Sequence, residues 1–406
     1  MAAIAQVAEA SDIGLDAGRL WRLEERLKGY ADDGAWPGSL IVIARGGRVG
    51  YVHAAGWLDL SSRRPVRADA VWRMYSMTKP VTSVAALMLC EEGRLRLTDP
   101  VADYIPAFAD ARVYQFGPAS APVTVPAREP VRVWHLLTHT SGLTYPHWMR
   151  DAVDDAYRRD LARRGVPATL EALCDRVGRL PLLFEPGTEW NYSMSTDVLA
   201  RVVEVVSGHG LDAFFAERIF RPLGMSDTGF APVADEQRLA TLYAHDPDAG
   251  AVLPAPPERA LGMAFPTGGT GLWSTAADYQ HFVDMLRGGG ALGGERLLSP
   301  ASVHLMRQNH LPGGRDIATA ARPGTLAREF PGRGFGLGFA VLTDPVAAHT
   351  IAPAGEHSWG GAAGTEFWID PVRDLTVVFF TQVLGAPREH ALRRELRWLV
   401  YQAVTD

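Results

Sequence analysis

The sequence predicts a mixed α/β protein of the α+β kind: an antiparallel sheet built from both ends of the chain, flanked by helices, with a mainly helical stretch inserted between. Near the start, 39–45 and 49–56 are β-rich runs on either side of Gly46-Gly47, which signals a hairpin. Near the end, 336–342, 358–370 and 375–382 read as three strands joined by short turns. Between these groups the pattern turns to helices and Gly/Pro-rich loops. Strands at both ends with helices between them imply one sheet assembled across the chain. The expected division is therefore a discontinuous sheet domain, 1–98 with 269–406, and a mainly helical domain, 99–268.

In order, 14–30 carries Leu15, Leu20, Leu23 and Leu27 among charged neighbours, an amphipathic helix that packs on a sheet. Residues 58–65 are polar and turn-like. From 81 to 89 the chain is apolar on nearly every face, so this helix belongs inside the protein, and Gly93 stops it. Four prolines between 112 and 130 predict a long surface loop. Helices follow at 133–140, 151–164, 170–180, after Ser195, at 211–220 and at 276–286. The stretches 245–266 and 308–334 read as loops. A closing helix at 388–404 aligns Leu392, Leu396, Leu399 and Ala403 on one face.

Composition excludes several functions. The formal net charge is −6 and the arginines are spread along the chain, so nothing points to a nucleic-acid partner. No apolar run approaches the ~18 residues that would span a membrane. The first basic residue is Arg19, so the start lacks a signal-peptide pattern and a cytoplasmic location is expected. Cys90 and Cys174 sit in apolar helical settings and read as buried thiols.

The chemistry concentrates at Ser76-Met77-Thr78-Lys79. Residues three apart share a helix face, so the Ser76 hydroxyl and the Lys79 amine fall within reach of each other. Of 40 Lys plus Arg, only Lys28 and Lys79 are lysine. Arginine does not release its proton near neutrality, whereas a desolvated lysine does, so a retained lysine beside a serine suggests proton transfer. Spacing alone also fits a buried helix carrying an incidental pair. A helix N-terminus at Ser76 favours negative charge developing on its oxygen. Pro80 is tolerated in the first turn, although it disfavours α geometry at Lys79.

Other candidates are weaker. His135 and His139 have the i, i+4 spacing of zinc ligands, but no Glu follows His135, and the reading is that no metal binds. Tyr192, in Trp190-Asn191-Tyr192-Ser193-Met194, precedes a helix on a loop that presents side chains to a site or simply packs. No Gly-x-Ser-x-Gly occurs, so an α/β-hydrolase elbow is not supported.

Together these stretches resemble the serine β-lactamase and penicillin-binding superfamily, specifically the class C β-lactamase-like group that includes the family VIII carboxylesterases. The resemblance runs over roughly 18–400. Ser76-x-x-Lys79 matches the nucleophile motif, Tyr192-Ser193-Met194 the tyrosine motif, and Trp359-Gly360-Gly361 the third, on a core strand. Supporting likeness lies in 135–143, 222–225 and 268–275.

The resemblance implies an acyl-enzyme on Ser76, with Lys79 and Tyr192 as the base pair and an oxyanion site between the N–H groups of Ser76 and Ala362. A free lysine titrates near 10.4 and a free tyrosine near 10, so such a pair works near neutrality only when one proton leaves about 3 pH units early, roughly 4 kcal/mol. The resemblance implies that the Lys79 cation stabilises a Tyr192 phenolate, which takes the Ser76 proton and passes it to the leaving oxygen, with the reverse, neutral Lys79 as base, as the alternative. The departures concern substrate. Met194 stands where β-lactamases usually carry Asn, and Trp359-Gly360-Gly361 where Lys-Thr-Gly is common, so the contacts to a β-lactam's amide and carboxylate are missing. Small neutral esters fit, and Tyr75, Trp148, Trp273 and Phe335 either line an acyl or alcohol pocket or, the reading preferred for each, pack in the core. His357 reads as a site-edge or solvent residue. The resemblance implies no cofactor; the partner expected is a small-molecule ester. Acyl transfer, β-lactam or peptide hydrolysis, and a non-catalytic binding module are the alternatives.

Overall fold

The computed structural model describes residues 3–405 apart from 149–150, 166, 233–234, 257–263, 323–326, 328–329 and 387–388. Parts of the expected 245–266 and 308–334 loops, and the start of the closing helix, thus lie outside the described residues.

The elements that place the site are, in chain order, helix α1 (Ala17–Asp32), strands β1 (Gly38–Arg45), β2 (Arg48–Asp59) and β3 (Arg64–Pro65), helices α2 (Thr78–Glu91), α3 (Ser195–Ser207) and α4 (Ala276–Arg287), strands β4 (Arg333–Phe335), β5 (Ala340–Leu342), β6 (His357–Gly360), β7 (Glu366–Asp370) and β8 (Leu375–Phe380), and helix α5 (Glu389–Tyr401). The eight strands form one sheet in the order β4-β5-β6-β7-β8-β1-β2-β3. Every named pairing in it is antiparallel, and β1 beside β8 (Val42 opposite Val378) is where the two ends of the chain meet.

Alternation along β1 and β8 sorts the core. Ile41, Ile43, Val377 and Phe379 face one layer with Leu23 and Leu27 of α1 and Leu392 and Leu396 of α5. Leu40, Val42, Val378 and Phe380 face the other, with α2 and α4. Every residue from Thr78 to Leu89 is buried, so α2 runs through the interior, as its all-round apolar sequence requires. Pro80 is its third residue, where the backbone N–H has no intrahelical acceptor to lose.

Several expectations change. The 58–65 turn includes the end of β2 and all of β3, and the 112–130 loop contains a hairpin of Arg112–Phe116 with Val123–Pro126. The expected strand 358–370 is two strands, β6 and β7, folded back on one another with Trp359 opposite Phe367. Residues 361–365 make the turn between them, Gly361 N–H donating to Thr365 O at 2.7 Å and Gly364 adopting φ +91°.

Candidate active site

Ser76 lies on a single 3₁₀ turn, Tyr75–Met77, immediately ahead of α2. The chain enters it through Tyr75, whose φ of +46° is a left-handed conformation that costs a non-glycine residue energy. The surroundings hold it there. The preceding strand Val71–Arg73 pairs with Trp273–Thr275, and Met74 N–H donates to Leu272 O at 2.8 Å. Tyr279 donates its hydroxyl to Met77 O at 2.8 Å, and Thr365 to Met74 O at 3.3 Å.

Lys79, 1% exposed, donates from Nζ to Gly269 O at 2.7 Å and to Ser76 Oγ at 3.3 Å. Lys79 Nζ lies 4.8 Å from the ring centre of Tyr192 and 5.8 Å from that of Tyr145. Tyr192 sits on the loop before α3, where Asn191 fixes the backbone: its N–H donates to His139 O and its side chain to Leu143 O, both at 2.9 Å. Trp148 Nε1 donates to Tyr192 O at 3.0 Å, and Trp359 Nε1 to the Tyr192 hydroxyl at 3.3 Å. Sequence-distant Ser76, Lys79, Tyr192 and Trp359 thus meet at one place.

The third motif shows why it contains two glycines. A Cβ on Gly360 would meet Arg393 Nη2 at 2.5 Å, and one on Gly361 would collide with Thr365 Oγ1 and the Met74 carbonyl. The β6–β7 turn therefore presses directly on the nucleophile turn. Ala362, at its tip, is exposed, and its N–H makes no hydrogen bond within the protein among the described residues.

Ser76, Tyr192, Trp359, Gly360, Gly361 and Ala362 line one cavity of about 300 Å³. Trp148, Trp190 and Phe330 give it an aromatic wall, and Glu366, Glu389 and Arg393 a charged end. Those charges are largely paired: Arg393 with Glu389 at 2.6 Å, Arg397 with Glu366 at 2.9 Å. Met194 and Tyr75 lie outside the cavity lining, Met194 buried ahead of α3 and Tyr75 spent on the turn. Phe335 packs behind the wall against Trp359, Trp190 and His139, and Trp273 is covered by Arg73. His357 is corrected: it is 1% exposed, inside β6 against Phe339, and burial holds its imidazole down at about 4.

Sequence reasoning missed Asp197, Tyr145 and the role of His139 as packing. Asp197, in the first turn of α3 and 6% exposed, accepts Gly269 N–H at 2.9 Å. Burial raises its carboxyl above the ordinary value, against the opposing pull of Lys79. Burial, then the Lys79 charge, keep His139 well below its ordinary value, so its ring is neutral beside Tyr192 at 4.7 Å. His135 is neutral too, held at about 3 by burial, and its Nδ1 accepts from Arg132 N at 3.0 Å.

The pattern of the family described as Beta-lactamase matches residues 23–402. The chain belongs to this family. Within it, the chain is 36% identical over 362 residues to an uncharacterised protein of Mycobacterium tuberculosis, with 88% of each chain covered. It is 33% identical over 385 residues to esterase EstB of Burkholderia gladioli, covering 90% of each. Among solved structures it is similar to EstCE1, described as a hydrolase with promiscuous acyltransferase activity, at a TM-score of 0.78 and 31% identity over 95% of this chain and 99% of that one. This beta-lactamase-family chain is a serine hydrolase with the fold shared by β-lactamases and penicillin-binding proteins, of the ester-hydrolase and acyltransferase kind. No helix among the described residues is long and apolar enough to cross a membrane.

Proposed function

We propose that the protein is a carboxylesterase that hydrolyses small neutral carboxylic esters through an acyl-enzyme on Ser76. The observation that carries this reading is Ser76 opening into an aromatic-walled cavity with the Lys79 amine 3.3 Å from its hydroxyl. Ser76 Oγ bonds to the ester carbonyl carbon as its proton passes to the Lys79–Tyr192 pair. The tetrahedral oxyanion rests between the N–H groups of Ser76 and Ala362. The alkoxide leaves with the proton held by the pair. Water then attacks the acyl carbon, giving its proton to the same pair, and the carboxylic acid departs as Ser76 is reprotonated.

A cavity of about 300 Å³ is at the small end of ligand sites, which fits a small ester. The Trp359 indole in its wall and the pairing of its charged groups favour a neutral substrate over a free carboxylate. Resemblance to EstCE1 supports a second reading, acyl transfer, in which an alcohol replaces water. The test is turnover of p-nitrophenyl butyrate near pH 8 by the wild type and by Ser76→Ala. Turnover that disappears in the variant supports the reading, and equal rates in both overturn it. An added alcohol that yields a new ester identifies the acyltransferase.

A further inference from the structure

The cavity that opens at Ser76 continues past its aromatic wall. Strand β5 pairs with β6 at His357 and Ser358 and stops there, so Trp359 and Gly360 extend beyond it, and the cavity passes over them to the underside of α5. Alternation puts Ser358, Gly360 and their neighbour Glu366 on the α5 side of the sheet, where Arg397 covers the ring of Trp368. Gly360 stands directly across from Glu366. It has no side chain, and the place of a Cβ lies 2.5 Å from Arg393 Nη2 and 2.6 Å from Arg393 Cζ. The Arg393 guanidinium therefore fills the space in which a cross-strand side chain would face Glu366.

Each glutamate at this end already has its arginine, yet the hydrogen bonds are not all made. Glu366 Oε1 accepts from Arg397 Nη1 at 2.9 Å. Arg393 Nη2 donates to Gly361 O at 2.9 Å and pairs with Glu389 at 2.6 Å. Among the described residues, Glu366 Oε2 and Arg393 Nε are buried and left without a partner. Trp190 Nε1, also unpartnered in the lining, belongs to the aromatic wall. Glu366 is 4% exposed, and a buried polar atom left unmatched calls for an occupant that the fold itself does not supply. An acceptor and a donor are both unmet here. An ammonium only donates, and a ketone or ether only accepts. A hydroxyl does both from one atom.

We propose that the charged end of the cavity is a hydroxyl subsite: one arm of the ester lies on the aromatic wall, and the other carries a hydroxyl that donates to Glu366 Oε2 and accepts from Arg393 Nε–H. The proposal rests on the ester reading and narrows it from neutral esters to hydroxylated ones. Glu366 and Arg393 set specificity, away from the bond that breaks.

Two matched pairs of esters test this, each exchanging a terminal methyl for a hydroxyl: pentyl butyrate against ω-hydroxybutyl butyrate for the alcohol arm, and ethyl heptanoate against ethyl ω-hydroxyhexanoate for the acyl arm. In the wild type, kcat/KM for the hydroxylated member of one pair should exceed that of its partner by about 10- to 100-fold, and the pair that shows it identifies the arm. Equal values within both pairs overturn the proposal and leave water as the occupant. Glu366→Gln keeps an oxygen for Arg397 and puts an NH2 where Oε2 was; Arg393→Lys keeps a cation for Glu389 without the Nε–H. In each, the preference should fall to within about 2-fold, and a preference that survives in either folded variant overturns the assignment. Ser76→Ala binds the same esters without cleaving them. Quenching of its tryptophan fluorescence should give a Kd lower by a similar factor for the hydroxylated member, and equal Kd values overturn the proposal. That measurement needs no turnover. Failure of the ester reading, a wild type inert toward every ester, is thus distinct from failure of the subsite.

Discussion

The indole N–H of Trp359 donates to the hydroxyl of Tyr192 at 3.3 Å, joining the third motif of the site to the second. A donor aimed at that oxygen fixes its position and stabilises negative charge that develops on it, and a typical hydrogen bond is worth about 0.5–1.5 kcal/mol. Trp359→Phe keeps an aromatic wall and removes the donor. The expected outcome is turnover slower by roughly 10-fold, with a smaller change in KM. Steady-state ester hydrolysis by the wild type and the variant measures both.

A buried ion-pair network supports the same strand from behind. Glu356, fully buried, accepts from Arg397 Nε at 2.8 Å, Arg333 Nη1 at 3.2 Å and the Tyr401 hydroxyl at 3.3 Å. Glu356→Gln leaves two buried arginines without their shared anion, a change that costs about 3–5 kcal/mol. Burial by itself would raise the Glu356 carboxyl, but the charges and hydrogen bonds of Arg397 and Arg333 outweigh it and hold the group below its ordinary value. A carboxyl lowered in the folded state stabilises above its unfolded titration, near 4.3, and that stability disappears as pH falls through the folded value. Thermal melting should therefore show the full gap between wild type and variant at about pH 6–7 and a closing gap below about pH 4.

Next along the strand, His357 titrates in the opposite chemical sense with the same direction of pH effect. Burial brings it from 6.5 down to about 4, so the unfolded chain binds its proton first on acidification. Stability should start to fall as pH drops below 6.5 and stop falling from this source below about 4, a loss of ~3 kcal/mol. His357→Gln removes that dependence. Melting curves of the two proteins between about pH 7 and about pH 4 should converge or cross; parallel curves would show that His357 is not neutral in the fold.

Much of this architecture is legible in the sequence, because it follows from periodicity and from turn chemistry. The Gly46-Gly47 hairpin, the apolar α2 and the amphipathic α5 each satisfy local rules that the packing also needs. What escapes such reading are features set by distant partners. The run from Ser358 to Asp370 is β-prone throughout, and the reversal at 361–365 is imposed by pairing of β6 with β7. Asp197 carries no signal of its own, since an acidic residue in the first turn of a helix is ordinary dipole complementarity; only the fold brings Gly269 and Lys79 to it. His357 lies near the motif in sequence, and that nearness says nothing about which neighbours cover it.

The glycine at 361 offers a test of the contact between turns. A Cβ built on Gly361 would lie 2.4 Å from the carbonyl oxygen of Met74, two residues before Ser76, and the same carbonyl accepts from Thr365 Oγ1. Gly361→Ala puts a methyl group where both of those atoms already are. The tip of the turn must then move away from the nucleophile, taking the Ala362 N–H with it, while Ser76, Lys79 and Tyr192 remain. Misplacement by about 1 Å costs around 10²-fold in rate, and loss of one oxyanion donor about 10²–10³-fold. Gly361→Ala should therefore slow turnover by roughly 10²-fold with KM nearly unchanged, and the acid limb should stay where it is because the proton-transfer pair is untouched. Pre-steady-state acylation with p-nitrophenyl butyrate reads this directly, and a normal acylation rate would remove the Ala362 N–H from the oxyanion site.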